Sequence, residues 1–405
     1  MLTPGRGVSS HAITPADEIA IRTYRLDRLR KTLAAADIGA VLLFDPVNIR
    51  YATGSRNMQV WTMHNACRYA FVPASGPVVL FDYSRTQHLS RHLETINEIR
   101  PAISWDFFAA GDRYREQATS WANEISELLW RSSGNGARLA IDRADLLPLE
   151  ALHQLGIEVV DAKPYTEAAR AIKSFEEIKS IRDAVSAGER AMAAMHSALA
   201  PGERESDMLA ILSLENIASG GEYMETRLLT SGPRTNPWLQ ETSDRVMEAG
   251  DMMAFDTDLI GRHGVFVDIS RAWIVGDLKP TDEQRTIYDL AREQLECNMA
   301  LLRPGVEFRE FAEKAWPMPE IYAPNRYAEM IHGAGLGVEY PLVYYIQDWE
   351  AAGYDGQFEE NMVVCVESYI GAVGGREGVK LEQQVLITST GPEVLSHYRF
   401  ENDRW

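Results

Sequence analysis

The segment "FDTDLIGRHGVFVDISRAW", residues 255–273, places three aspartates among apolar side chains. They are Asp256, Asp258 and Asp268. A carboxylate in apolar surroundings is costly unless a cation or a hydrogen-bond donor neutralises it, or unless its pKa rises so that it keeps its proton. We therefore predict a metal site here. The alternative is a solvated acidic hairpin at the edge of a sheet.

Three further potential ligands lie later in the chain. His332 precedes the turn "GAGLG", Glu367 follows the apolar run "VVCV", and Glu382 lies within "VKLEQQVLI". The six residues together offer five carboxylates and one imidazole, a charge that two divalent cations would nearly balance. Oxygen ligands with one histidine suit manganese, iron, cobalt or zinc. Two such ions about 3.5–4 Å apart could share a nucleophile or hold a carboxylate between them.

The three aspartates need a hairpin to bring them together. Residues 252–260 and 265–273 are apolar runs typical of strands, and the "GRHG" between them supplies a turn. Alternate residues of a strand face the same side, so we expect Asp256 and Asp258 to point together. The returning strand would then bring Asp268 back beside them.

The N-terminal part of the chain alternates helical and strand patterns. Short apolar runs at 39–45, 77–83 and 137–142 predict strands. Helical spacing of apolar residues at 19–36 and 115–130 predicts helices between them. This alternation is typical of an α/β domain.

A different pattern begins near residues 160–172. Ser174 followed by Glu177 fits a capping box, and a long amphipathic helix follows it. We therefore predict an N-terminal α/β domain over 1–165 and a catalytic domain over 166–405.

Composition narrows the class of partner and the cellular location. The formal net charge of −19 argues against nucleic acid, because phosphates need a basic face. The three cysteines are too few and too scattered for a disulfide framework or a cysteine-based metal cluster, so we expect reduced thiols. We find no secretory signal pattern and no run of roughly 20 apolar residues. These features predict a cytoplasmic protein that binds neither nucleic acid nor membrane.

The order Asp, Asp, His, Glu, Glu on these elements resembles the pita-bread metallopeptidase superfamily, which includes methionine aminopeptidase, aminopeptidase P, prolidase and creatinase. "FDPVNIRYATG" (44–54) resembles the N-terminal domain of the creatinase and prolidase types, and "LTSGPRTNPW" (229–238) resembles the stretch before their first metal strand. The resemblance covers nearly the whole chain. It implies an α+β protein with a C-terminal pita-bread domain and a smaller N-terminal α/β creatinase-like domain.

Several positions depart from the peptidase pattern. Peptidases usually read Asp-x-Gly at the first ligand, where this chain has Asp258 in place of the glycine. Two of their proton-transfer histidines correspond here to Trp238 and Glu339. The metal ligands persist while these histidines are absent, which disfavours an ordinary peptidase.

The same departures make the chain similar to the dimethylsulfoniopropionate (DMSP) lyases of the DddP type. That resemblance implies an iron-containing homodimer in which the N-terminal domain of one subunit reaches its partner's site. It also implies β-elimination, which gives dimethyl sulfide and acrylate. The implied metal ligands are Asp256, Asp258, Asp268, His332, Glu367 and Glu382.

The resemblance to these lyases does not extend to their general base. The lyases carry an aspartate as base at the position of Val338, and valine cannot take a proton. The alternatives are Glu339, Tyr327, which the lyases share, or a metal-bound hydroxide. Aromatic faces would hold a sulfonium through cation–π attraction, although each candidate could equally be a packing residue. The candidates are Trp61, Trp238, Tyr223 and Tyr327.

Three functions therefore remain open. The first is a lyase acting on DMSP or a similar β-substituted carboxylate. The second is a metal-dependent hydrolase of a C–N or amide bond in a small molecule. The third is a non-catalytic binding protein, which the six retained ligands disfavour because idle buried acids are costly. Metal content separates the third from the others, and product analysis separates the first two.

Overall fold

The computed structural model describes residues 11–404. The chain forms two compact units, one over Thr14–Arg170 and one that begins at Ala171. The first ten residues, which the sequence analysis gives to the N-terminal domain, lie outside the described residues. Among the described residues, no helix has both the length and the apolar character that a membrane crossing requires.

The N-terminal unit is built on one mixed sheet with helices between its strands, the predicted α/β arrangement. In chain order its elements are α1 (Pro15–Ala35), β1 (Ala40–Leu43), α2 (Pro46–Thr53), α3 (Gln59–His64), β2 (Tyr69–Pro73), β3 (Val79–Asp82), β4 (Glu98–Pro101), α4 (Phe107–Ala110), α5 (Tyr114–Ser133), β5 (Leu139–Ile141), α6 (Leu146–Gln154), β6 (Val159–Asp161) and α7 (Lys163–Ala171). The strand order is β4-β3-β2-β1-β5-β6. Strand β1 runs antiparallel to β2 and parallel to β5.

The C-terminal unit contains the remaining helices and strands. They are α8 (Phe175–Ala198), α9 (Glu205–Ala218), β7 (Tyr223–Met224), β8 (Leu229–Ser231), β9 (Met252–Phe255), β10 (Leu259–Ile260), β11 (Phe266–Val267), β12 (Arg271–Ile274), α10 (Asp282–Ala300), α11 (Phe308–Lys314), β13 (Ile331–Ala334), β14 (Val338–Val343), α12 (Trp349–Ala352), β15 (Val363–Ile370), β16 (Val379–Thr388) and β17 (Gly391–Val394). Helix α8 begins with the predicted capping box, in which Ser174 and Glu177 bond each other's backbone N–H.

Three antiparallel sheets carry the C-terminal unit. Their strand orders are β11-β10-β7, β12-β9-β8 and β14-β13-β15-β16-β17. Helix α8 packs on α9 and β11, whereas α10 packs on β15 and β16. Apolar side chains therefore form one core beneath α8 and α9 and another beneath α10 and α11. These two apolar cores hold in place the strands that carry the acids.

The aspartate hairpin forms, but both of its strands are interrupted at the aspartates. Strand β9 pairs with β12, while β10 pairs with β11 in a different sheet. Asp256, Asp258 and Asp268 lie in the breaks between these pairs. The expectation of continuous strands over 252–260 and 265–273 is therefore wrong. The backbone changes sheets here, and Asp258 takes a positive φ of 40° that a strand does not use.

Candidate metal centre

Strand register determines which potential ligands meet. Strands β15 and β16 pair so that Glu367 and Glu382 lie directly opposite each other. Strand β13 pairs with β15 so that His332 lies opposite Cys365. Like charges directly opposite on neighbouring strands are destabilising, so this pairing of two acids favours a positive charge beside them or a proton on one of them.

His332 lies at the centre of one half of the cluster. Its Nε2 atom is 3.2 Å from Glu367 Oε1, 3.5 Å from Asp268 Oδ2 and 3.6 Å from Glu382 Oε1. All four side chains are buried. The structure thus brings four of the predicted ligands around one point, although they are spread along the chain from residue 268 to residue 382.

The three aspartates form the other half. Each offers an oxygen within 4.8 Å of an oxygen of the other two, and all three are buried. The Asp258 N–H points to Asp268 Oδ1 at 3.4 Å, and Thr226 donates its hydroxyl to Asp258 Oδ2. Asp268 belongs to both halves, so the six predicted ligands form one continuous cluster. The prediction that these residues bind metal stays a prediction, but the fold assembles them.

Electrostatics shows that negative charge in this cluster is not balanced by the protein alone. Burial, and after it the charge of Asp256, raises the pKa of Asp258 and of Asp268 well above the ordinary value. Burial and the neighbouring Glu367 raise the pKa of Glu382 to about 7. Coordination of cations would remove this penalty, because an opposite charge favours the ionised form.

Lys380 is a member of the cluster that the sequence analysis missed. Its ammonium is 2.6 Å from Glu367 Oε2, 2.9 Å from Asp256 Oδ2 and 3.2 Å from Glu382 Oε2, and the side chain has no exposed area. Burial alone would lower the pKa of Lys380, but these three carboxylates raise it well above its usual range. The signal was present in "KLE", since a residue two before Glu382 on a strand faces the same side.

Ser270 and Cys365 are further neighbours that the sequence did not single out. The Ser270 Oγ atom lies 2.9 Å from Asp256 Oδ1 and 2.9 Å from Glu382 Oε2, so its single proton is donated to one of them at a time, and it accepts from Lys380 at 2.7 Å. The Cys365 Sγ atom lies within 4.8 Å of ligand atoms of Asp268, His332 and Glu382. The sequence analysis had set the cysteines aside as too scattered for a metal site, because cross-strand neighbours cannot be read from spacing.

The donor set fits divalent metal ions. Five carboxyl groups and one imidazole converge in a water-excluded core, and Glu382 Oε1 is buried without a hydrogen bond from any described residue. Such an oxygen is costly to bury unless it accepts a bond or coordinates an ion. Hard oxygen donors with one nitrogen match the first-row transition metals expected from the sequence.

The two predicted catalytic residues occupy different surroundings. The Tyr327 ring lies 4.9 Å from the Lys380 ammonium, so this residue is beside the cluster. Burial, followed by the charge of Glu367, raises the pKa of Tyr327 above its usual range. Glu339 instead forms a buried ion pair with Lys173. Val338, in the position of the lyase base, is 49% exposed.

The predicted substrate-binding aromatics are also distributed unevenly. The Trp238 ring is buried, and its centroid lies 6.0 Å from the Lys380 ammonium. Tyr223 lies in β7, where it pairs with Ile260 of β10. Ile260 follows Asp258 closely in the chain. Trp61 belongs to the N-terminal unit, where it is half exposed and donates its ring N–H to the Tyr83 hydroxyl at 2.7 Å.

Two known domain families match this chain. Metallopeptidase family M24 matches residues 179–389, and the creatinase/prolidase N-terminal domain matches residues 25–172. The chain is also 42% identical to the dimethylsulfoniopropionate lyase DddP of Roseovarius nubinhibens, over 94% of this chain and 86% of the relative. It is 39% identical to the DddP of Roseobacter denitrificans, over 95% of this chain and 87% of the relative.

Solved structures confirm the fold. The Xaa-Pro dipeptidase of Bacillus anthracis matches with a TM-score of 0.75 and 21% identity, covering 94% of this chain and 99% of that one. The prolidase of Pyrococcus horikoshii matches with a TM-score of 0.73 and 21% identity, covering 93% and 99%. At this identity they establish the predicted pita-bread architecture and no activity. The chain belongs to metallopeptidase family M24, in the group of its members that includes the DddP-type lyases.

Proposed function

We propose that this protein is a metal-dependent lyase that cleaves DMSP, or a similar β-substituted carboxylate, by β-elimination to dimethyl sulfide and acrylate. The observation that carries the proposal is Asp258. This third aspartate stands at the glycine of the peptidase pattern, in a backbone conformation that favours glycine, and contributes a carboxylate to the cluster. The 42% identity to a DddP lyase supports the same reading.

The cluster supports two divalent ions, and we propose iron, with manganese, zinc or cobalt as alternatives. Bound cations would hold the substrate carboxylate and make the neighbouring α-proton more acidic. Five ligand carboxylates carry five negative charges, and Lys380 adds one positive charge. Two divalent ions would therefore leave the centre neutral before substrate enters, which favours an anionic substrate.

The protein's own residues would shape and orient the site. Ser270 and Lys380 both bond Glu382 Oε2, which orients the carboxyl group and leaves its Oε1 available to a metal ion, and they bond Asp256 at Oδ1 and Oδ2 respectively. The rings of Trp238 and Tyr327 lie close to the same ammonium, so they bring π faces to the edge of the cluster. Such faces attract a sulfonium in a site from which water is excluded.

A hydrolase of a C–N or amide bond in a small molecule is the second candidate. The observation in its favour is Val338, which removes the base that the similar lyases carry at that position. Membership of a metallopeptidase family is consistent with it. Trp238, where the peptidases have a histidine, counts against cleavage of peptides.

The test is release of dimethyl sulfide from purified protein reconstituted with ferrous iron and supplied with DMSP. Headspace gas chromatography measures the release, and Asp258→Ala is the matched control. Release that the control loses, together with acrylate in equal amount, supports the lyase. Absence of release from protein that carries its full metal content would sink the lyase proposal and direct the search to small amides.

We also propose that the protein is a cytoplasmic homodimer that binds neither nucleic acid nor membrane. The family resemblance supports the dimer, and the net charge of −19 supports the absence of a nucleic-acid partner. Light scattering coupled to size-exclusion chromatography tests the dimer, and a single-chain mass of about 45.4 kDa would contradict it.

A further inference from the structure

Asn236 joins three segments that lie at the metal cluster. Its Nδ2 atom donates to the carbonyls of Ala372, at 2.8 Å, and Gly375, at 2.9 Å. These two residues lie in the connection between β15 and β16, the strands that carry two of the predicted ligands. Its Oδ1 atom accepts from Asn325 Nδ2 at 3.1 Å, and Asn325 lies in the segment before β13. One amide group therefore ties the segment after β8 to two others.

These bonds use both donors and the acceptor of the Asn236 amide. The Tyr369 Oη atom also lies 3.0 Å from Asn236 Oδ1 and 2.9 Å from the Thr235 carbonyl, so its single proton is donated to one of them at a time. Gly371 and Gly378 make room for this phenol, because an added Cβ at either position would collide with Tyr369 Oη. Aspartate has no donor for the two carbonyls, and alanine has neither a donor nor an acceptor, so the link depends on the amide.

Two aromatic rings at the cluster belong to the segments that Asn236 joins. Trp238 follows Asn236 by two residues, and the centroid of its buried ring lies 6.0 Å from the Lys380 ammonium. Tyr327 follows Asn325 by two residues, and its ring centroid lies 4.9 Å from the same ammonium. The hydrogen bond between Asn236 and Asn325 therefore couples the positions of the two rings.

No hydrogen bond of its own side chain fixes Trp238 within the described part of the chain. Its Nε1 atom is buried, and none of the described residues accepts a bond from it. The ring packs on Tyr369 at a centroid distance of 6.2 Å, and Tyr369 is itself bonded to Asn236. The position of the Trp238 ring at the cluster therefore depends on the backbone segment that carries it and on the bonds of Asn236.

We propose that Asn236 is a positioning residue for substrate recognition, which holds the rings of Trp238 and Tyr327 where their faces bind the sulfonium of the substrate. The inference rests on the lyase function proposed above and extends it to the cationic end of the substrate. The carboxylate end would be held by the metal ions, so Asn236 acts on one end only. Cation–π attraction needs the cation within about 6 Å of the ring centroid, so a ring that gains freedom of position loses much of this attraction.

The experiment compares two carboxylates that differ at sulfur. Dimethylsulfonioacetate carries a sulfonium, and (methylthio)acetate carries a neutral thioether. Neither has a β-carbon, so neither can undergo β-elimination, and calorimetry measures binding alone. The Kd of each ligand is measured for the iron-loaded wild type, Asn236→Ala, Asn325→Ala and the exposed control Asn135→Ala. Bound metal is determined by mass spectrometry on the same samples, and dimethyl sulfide release from DMSP is recorded separately.

We expect the wild type to bind the sulfonium about 5–30-fold more tightly than the thioether, the range that cation–π attraction supplies in a site without water. Asn236→Ala should lose most of this preference, and Asn325→Ala should lose part of it. In both variants the Kd of the thioether and the metal content should match the wild type. Asn135→Ala should keep the full preference. A residue with a purely structural role would weaken both ligands together.

Three results overturn the role of Asn236. They are a wild type that binds both ligands equally, an Asn236→Ala variant that keeps the full preference, and a variant that loses metal or weakens both ligands alike. If Asn236→Ala does not fold, Asn325→Ala decides the question, because it loses one hydrogen bond. The lyase function fails separately: a wild type that prefers the sulfonium but releases no dimethyl sulfide from DMSP refutes the lyase and leaves the role of Asn236 in place.

Discussion

Replacement of Asp258 by glycine should make the metal-free protein more stable while it weakens the metal centre. Asp258 has a φ of 40°, a region in which a side chain is strained by roughly 1–2 kcal/mol. Burial and the charge of Asp256 also raise the pKa of Asp258, so its ionised form is less favourable here than in an exposed carboxyl group. Asp258→Gly removes both the backbone strain and the unfavourable buried charge, and it also removes one predicted ligand of the cluster.

Two further variants separate the backbone cost from the charge. Asp258→Ala removes the carboxylate but keeps a Cβ, so its difference from Asp258→Gly isolates the strain. Glycine gains roughly 1–2 kcal/mol from relief of the strain and loses about 0.4–1 kcal/mol through the entropy of the unfolded chain. The net advantage of glycine should be roughly 0.5–1 kcal/mol. For a unit of this size that corresponds to about 1–4 °C in Tm.

The assay is thermal unfolding of metal-free and iron-loaded protein, with bound metal determined on the same samples. Metal-free Asp258→Gly should melt above Asp258→Ala, and both should melt above the metal-free wild type. On loading, the wild type should gain more stability than either variant, because ligand binding stabilises only the state that binds. A glycine variant that melts below the alanine variant would refute the strain argument. Either variant binding as much metal as the wild type would refute the ligand role.

Three other perturbations test the charges around the site. Glu339→Gln should destabilise the protein by about 3–5 kcal/mol, because it removes the carboxylate charge that faces the buried Lys173 ammonium, and the combined replacements Lys173→Met and Glu339→Leu should restore most of that stability. A single variant with wild-type stability in urea unfolding would show that the pair is dispensable. Lys380→Met should lower the free energy of unfolding of the metal-free protein by a similar amount, and Lys380→Arg should lower it less. An unchanged unfolding midpoint in Lys380→Met would contradict the role of Lys380 in neutralising the acids. The pKa of Glu382, raised from 4.5 to about 7, means that its contribution to metal-free stability is present below about pH 4.5 and is lost as pH rises to about 7. Glu382→Gln should flatten that pH dependence, and an equally steep profile in the variant would assign it to another group.

The sequence by itself identified most of the acids that cluster in the structure. Carboxylates among apolar residues are costly to bury, so Asp256, Asp268, Glu367 and Glu382 stand out as potential ligands, and metal binding by them stays a prediction. The alternation of strands and helices and the capping box at Ser174 likewise follow local rules, and the structure contains them. These features depend on neighbours in the chain, which is why pattern and propensity suffice to find them.

Only the tertiary structure decided which groups meet. The aspartate strands break because the chain passes from one sheet to another at Asp258, an event that depends on packing of distant strands. Lys380 pairs with acids on two other segments as well as with Glu382, and Glu339 pairs with Lys173; pairings between distant segments have no signature in spacing. Cross-strand register and burial set the partners and the pKa of each group, and both are properties of the folded chain.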